Sequence, residues 1–162
     1  MGHVGIIGGG VTGLAAALSL SKIGFQVTVF ESDSTPMPAS PEEAFNWNRR
    51  GAPQVRHSHA LLGRLHNLLR DIHPGVLKML LDVGATEIDL AQHMPDTLDD
   101  LCPEPEDRDL FMIAARRTTF EWVLRQIVMS DSDVVIRTGE RVSGLVVTEG
   151  DVPEVQGLVF DH

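Results

Sequence analysis

The first apolar run along the chain is His3 to Ile7 (HVGII), short and mostly aliphatic. A run of that length without alternation is what a strand buried on both faces of a parallel sheet needs. Gly8 to Gly13 follow, and then Leu14 to Ile23, whose alanines and leucines predict a helix. Gly24 ends that helix, and Phe25 to Phe30 (FQVTVF) predicts a second strand that finishes on Glu31. The spacing is that of one compact βαβ unit of about thirty residues.

The pattern then breaks. From Ser32 to Arg56 the chain reads as loop, interrupted by Pro36, Pro38, Pro41 and Pro53. Ala60 to Ile72 predicts an amphipathic helix, with Leu61, Leu62, Leu65, Leu68, Leu69 and Ile72 on its apolar stripe. Pro74 suits the first turn of a further helix, which carries Val76, Leu77, Leu80 and Leu81 and is closed by Gly84. No convincing strand falls between residues 32 and 84. Ala85 to Leu90 predicts a strand, and Pro95 to Asp109 an acidic loop with seven carboxylates and one arginine. Leu110 to Ala115 predicts a strand. Thr118 then opens a helix, with Glu121 three residues on in a capping-box pattern. Val134 to Arg137 is a further strand candidate, and Val142 to Val147 with Val155 to Phe160 reads as a hairpin.

Composition narrows the function classes. At 162 residues and 43% hydrophobic content, the chain can bury one sizeable core, so a single domain over residues 1–162 is expected. Thirteen basic against twenty-three acidic side chains leave a formal charge of −10, which argues against a nucleic-acid partner or an anionic membrane surface. Cys102 is the one cysteine, so no internal disulfide is available. Val4 to Leu20 is apolar enough to imitate a signal-peptide core, but it has no basic flank and contains five glycines. No integral membrane span is expected, and a cytoplasmic location is.

Gly8-Gly9-Gly10-Val11-Thr12-Gly13 satisfies G-x-G-x-x-G. Alone that motif is weak; here a strand precedes it, a helix begins on it, and an acidic residue closes the next strand eighteen positions after Gly13. Gly8 suits the tight turn, Gly10 the close approach of a pyrophosphate, and Gly13 the packing of helix on strand. The helix start offers unpaired N–H groups and the positive end of its dipole to phosphates. Glu31 can accept hydrogen bonds from ribose hydroxyls. The plain alternative is a glycine-rich strand–helix turn that binds nothing. A carboxylate at Glu31 repels a 2′-phosphate, which favours FAD over NADP. A compact NAD-binding half would place a third strand soon after Glu31, and the long insertion there favours FAD over NAD.

VGIIGGGVTGLAAALSLSKIGFQVTVFE resembles the ADP-binding opening of FAD oxidoreductases of the glutathione-reductase and p-hydroxybenzoate-hydroxylase class. RRGAPQVRHSHALLGRLHNLL, followed by HPGVLKMLLDVGA, is similar to bacterial FAD-dependent monooxygenases related to squalene epoxidase. Those carry a G-x-P-Q-x-x-H-x-H-x-L-L segment, matched by Gly51, Pro53, Gln54, His57, His59, Leu61 and Leu62. ARRTTFEWVLR is similar to that family's R-x-x-L-E-x-x-L element, with Phe120 in place of leucine. The resemblance implies an α/β, Rossmann-like FAD/NAD(P)-binding fold of the glutathione-reductase type, three-layered and incomplete. It places Gly8, Gly9, Gly10, Val11, Thr12 and Gly13 at the FAD pyrophosphate and Glu31 at the adenosine ribose. Arg117 would reach the FAD phosphates or ribityl chain, the alternative being a solvated arginine ahead of a helix. Val142 would contact adenine through backbone atoms, the alternative being a plain strand valine.

In such enzymes NAD(P)H reduces the flavin and one atom of oxygen goes to an organic substrate. They also carry a second FAD motif with a Gly-Asp pair and a substrate domain. The one such pair here, Gly150-Asp151, lies in the hairpin turn. The chain therefore reads as the N-terminal part of a longer flavoenzyme, inactive by itself and prone to self-association through an uncovered sheet. Two other readings stay open: a non-catalytic dinucleotide-binding fragment that needs a complementary chain, and an NAD-dependent dehydrogenase.

The remaining features point to less. His59, His66 and His73 are seven apart, and seven helical residues rise about 10.5 Å, too far for two of them to share one ion. No metal site is expected. His59 near a flavin ring is implied only by the resemblance, and a capping or packing role competes with it. Neighbouring carboxylates disfavour a thiolate at Cys102. Trp47 and Trp122 are candidates for stacking or for the core.

Overall fold

The structure is a computed structural model that describes residues 2–52, 58–95, 97, 99–100, 102 and 104–161. Its elements are β1 (His3–Ile7), α1 (Val11–Lys22), β2 (Gln26–Glu31), α2 (Pro41–Ala44), β3 (Ser58–Leu61), α3 (Gly63–Ile72), α4 (Pro74–Asp82), β4 (Thr86–Asp89), β5 (Phe111–Arg116), α5 (Arg117–Ser130), β6 (Val134–Thr138), β7 (Val142–Thr148) and β8 (Glu154–Phe160). The chain divides into two compact units. One comprises Met1–Pro36, Asn48–Ala52 and Leu124–His162, the other Met37–Trp47 and Pro53–Val123.

The first unit is built on a parallel sheet in the order β1-β2-β6. Ile7 pairs with Phe30, and Val27 with Val134, so β2 is bonded on both sides. Val27 and Val29 alternate inward along β2, and Leu14, Ala17 and Leu18 form the buried face of α1. The helix stops where the sequence asks it to. Gly24 adopts φ 91°, and the Gly24 and Phe25 N–H groups donate to Ser21 O and Leu20 O at 2.8 and 3.1 Å. That is a Schellman end, whose left-handed position favours glycine. β7 and β8 form an antiparallel hairpin, and the Phe160 ring meets Phe30 at 5.3 Å between centroids.

The second unit holds an antiparallel sheet in the order β3-β5-β4 with α3 packed on α4 and on β5. Its core includes Leu69, Val76, Leu80 and Ile113. Two expectations fail here. The helix expected over Ala60 to Ile72 begins only at Gly63, because Ser58–Leu61 is a strand paired with β5, with His59 opposite Ala115 and Leu61 opposite Ile113. Residues 32 to 84 therefore do contain a strand. Leucines 61 and 62 fit either period, and pairing with β5 decides between them. A Cβ on Gly63 would lie 3.2 and 3.3 Å from the carbonyl oxygens of Asp109 and Phe111, so glycine admits this tight entry into α3.

The second failure is the cap at Thr118. β5 runs straight into α5, which starts at Arg117, so Thr118 and Glu121 lie inside the helix and are buried rather than closing its end. Trp122 is a core residue whose indole N–H donates to Pro38 O at 2.9 Å, tying down the proline-rich segment. Among the described residues no helix is long and apolar enough to cross a membrane.

Candidate nucleotide-binding site

The strand β1 ends and the chain turns at once. Gly8 adopts φ 103° and its N–H donates to Phe30 O at 2.8 Å, which fixes the turn against the end of β2. Gly9 sits where three groups converge. Its N–H donates to Glu31 Oε2 at 3.0 Å, and its carbonyl accepts from Arg125 Nη2 at 3.0 Å. Any Cβ at Gly9 would stand 3.0 Å from Glu31 Cβ and 3.2 Å from the Arg125 guanidinium. At Gly13 a Cβ would come within 1.9 Å of Gly8 O, so the helix can approach the turn only with glycine there.

Gly10 is different. It caps α1 in an extended conformation, φ −81° and ψ −174°, with no side-chain cap. A Cβ on it would meet nothing within 4 Å. The protein itself leaves that space open, directly over the start of α1, where Val11 and Thr12 begin the first turn and Leu14 N–H makes the first bond back to Gly10 O at 2.9 Å. Uncapped N–H groups and the positive end of the helix dipole therefore face a volume that a phosphate can fill.

Glu31 closes β2 beside this turn, 7% exposed. Its Oε2 accepts from Gly9 N–H and from Arg49 Nη2 at 2.8 Å, and its Oε1 accepts from Asp33 N–H at 2.8 Å. Burial pushes the carboxyl up, but the Asp33 N–H, the Arg49 guanidinium and the Gly9 N–H together hold it below the usual range. Asp33 is equally enclosed: Oδ1 accepts from the Thr35 N–H and hydroxyl, and Oδ2 from Arg50 N–H and from Arg49 Nη1 at 2.8 Å. Burial raises this carboxyl too, and the Thr35 hydroxyl and N–H, Arg49 and the Arg50 N–H outweigh it and bring it down. Beyond the end of β2 opens a cleft of about 640 Å³, lined among others by Ser32, Ser34, Thr35, Arg50 and Arg141. That volume suits a nucleoside-sized ligand.

Of the residues singled out in the sequence, Gly8 to Gly13 and Glu31 come together as one cluster in the first unit. Val142 opens β7 in the same unit, opposite Phe160. Arg117 belongs to the second unit, where its guanidinium stands 3.7 Å from Glu121 and its Nε is buried without a hydrogen-bond partner among the described residues. His59 lies on β3, Cys102 is exposed, and Pro53, Gln54 and His57 lie outside the described residues. Sequence reasoning passed over Asp33, Arg49 and Arg125. The visible signals were an acidic residue two places after Glu31 and an Arg49-Arg50 pair inside a proline-broken segment. Neither carries a motif.

This chain is 34% identical over 96 residues to Protein Rv3254 of Mycobacterium tuberculosis, covering 59% of this chain and 18% of that protein. Its fold is similar to that of p-nitrophenol 4-monooxygenase PnpA from Pseudomonas putida DLL-E4 (TM-score 0.54, 20% identity, 97% of this chain and 38% of that one). It is also similar to PqsL, a probable FAD-dependent monooxygenase from Pseudomonas aeruginosa (TM-score 0.60, 11% identity, 98% of this chain and 38% of that one). The chain spans well under two thirds of the length of each. The model of the DAO family, described as FAD dependent oxidoreductase, matches residues 3–107. With that match over more than half of its length, and a strand–glycine turn–helix that fits a dinucleotide, the chain belongs to the FAD dependent oxidoreductase family.

Proposed function

We propose that this chain supplies the ADP-binding part of the FAD site in a flavin-dependent monooxygenase, one that takes reducing equivalents from NAD(P)H and acts on an organic substrate. The observation that carries this reading is Gly10. Packing does not require glycine there and no left-handed φ does, and a pyrophosphate over the uncapped α1 would account for it. The fit extends to the rest of the nucleotide. The Val11 and Thr12 N–H groups suit the pyrophosphate, the Glu31 carboxylate the ribose hydroxyls, and the cleft beyond β2 the adenosine. Val142 would add a backbone contact to adenine. When bound, FAD supplies the hydride and oxygen chemistry, while the protein's part is to hold, orient and shield it. The names of PnpA and PqsL favour oxygen insertion over other flavin reactions.

The test is the cofactor that travels with the protein. After incubation with FAD and gel filtration we expect the chain alone to retain flavin absorbance weakly, since it holds only the ADP end of the cofactor. A protein in which this chain is joined to a substrate domain should then consume NAD(P)H faster when its substrate is present. Co-elution of nicotinamide nucleotide without flavin would overturn the cofactor assignment. NAD(P)H consumption without oxygen uptake would overturn the monooxygenase reading.

A further inference from the structure

The glycine turn needs a carboxylate at Glu31, but nothing so far requires a buried arginine to sit on it. Arg49, 5% exposed, reaches in from the segment Asn48–Ala52 and forks across two carboxylates, Nη2 on Glu31 and Nη1 on Asp33, each at 2.8 Å. Four acceptor positions exist on each carboxylate. On Asp33 all four are taken: by the Thr35 N–H at 2.9 Å and hydroxyl at 2.6 Å, by the Arg50 N–H at 3.1 Å, and by Arg49. On Glu31 three are taken firmly, by Gly9 N–H, Arg49 and Asp33 N–H. The fourth, on Oε1, is held among the described residues only by the Ser32 hydroxyl at 3.4 Å, the outer limit of a hydrogen bond.

We infer that Arg49 is a positioning residue for the ribose: its fork holds Glu31 turned so that the loosely held acceptor position on Oε1 receives a ribose hydroxyl, which displaces Ser32. This rests on the reading of Glu31 as the ribose acceptor. The charges around Glu31 come from several elements. Arg49 and Asp33 lie on the segments beside it, and Arg125 of α5 lies against Gly9. Glu140, beyond β6, donates its N–H to Glu31 O at 3.1 Å while its carboxylate is paired with Arg137 at 2.6 Å. Within that set Arg49 bonds the carboxylate directly. Without its guanidinium, burial acts against a smaller set of hydrogen bonds and the Glu31 carboxyl moves up. A protonated Glu31 turns one acceptor into a donor. It also frees the side chain to rotate away from the ribose. Arginine rather than lysine suits the role because only a planar fork spans two carboxylates at fixed geometry.

The experiment compares ADP with 2′,3′-dideoxy-ADP on the full chain, by calorimetry across pH 4.5 to 8, for wild type, Arg49→Gln and Arg49→Lys. Wild type should prefer ADP by about tenfold or more, the scale of a hydrogen bond to a charged acceptor. In Arg49→Gln the preference should shrink to about twofold at neutral pH, and the acid-side loss of ADP affinity should begin at a higher pH than in wild type. Arg49→Lys should restore part of both. It is also the variant to read if Arg49→Gln does not fold, since it keeps a cation beside the buried carboxylates. Full preference and an unchanged pH profile in a folded Arg49 variant would overturn the positioning role while leaving Glu31 as the ribose acceptor. Equal binding of the two nucleotides by wild type would overturn the reading of Glu31, and the inference with it.

Discussion

Gly13 and Gly10 stand three residues apart in one motif and are glycines for opposite reasons. At Gly13 the protein is the obstacle: a methyl group would come within 1.9 Å of Gly8 O, and backbone cannot give way as a flexible side chain can. Gly13→Ala should therefore cost stability, by about 1–3 kcal/mol as an overpacked site. Gly10→Ala meets open space and should leave the urea midpoint near that of wild type. A Gly13→Ala protein as stable as wild type would mean that α1 does not approach the turn as closely as described. The sequence made both glycines visible through spacing, because the motif fixes a turn, a strand and a helix at once. It did not make Arg49 or Arg125 visible. A buried arginine that bonds a carboxylate eighteen positions back, or a carbonyl 116 positions back, leaves no periodic trace. Such contacts exist only once the segments are folded together.

Among the elements, the legible ones were those whose own pattern agrees with their surroundings. β1, α1 and β2, the helix after Pro74, and the hairpin all lie where apolar spacing puts them. β3 and the start of α5 were not legible, and both adjoin β5. An unpaired β5 edge recruits Ser58–Leu61 as a strand, overriding a leucine stripe that suits a helix. The end of β5 passes directly into α5, so Thr118 has no loop from which to cap it. The hairpin carries its own prediction. Val147 and Val155 face each other across β7 and β8, 45% and 60% exposed, with exposed Leu145 two positions away on the same face of β7. An apolar patch on a two-stranded sheet invites association. Replacing Val147 and Val155 with threonine keeps the strand preference while removing apolar surface. Light scattering should then show weaker concentration-dependent association than wild type; an unchanged curve would place the association surface elsewhere.

For the molecule as a whole, a net charge of −10 coexists with two buried carboxylates held ionised by one arginine. Glu31 and Asp33 both titrate below their ordinary values in the folded chain. Between the folded and unfolded values the unfolded chain binds more protons, so stability rises with pH across that window. The contribution is complete above about pH 5 and is lost as pH falls through the folded values. The urea midpoint should accordingly be flat from about pH 5 to neutrality and drop below that. A midpoint unchanged down to about pH 3 would mean that the Glu31–Arg49–Asp33 cluster does not form in solution. The role proposed for the space over Gly10 is to receive the FAD pyrophosphate. The most direct measurement is a titration of wild type and Gly10→Val with FAD, followed by flavin fluorescence, beside thermal melts by circular dichroism. We predict saturable binding by wild type, loss of at least about 100-fold in affinity for Gly10→Val, and closely similar melting; a folded Gly10→Val that binds FAD like wild type would contradict it.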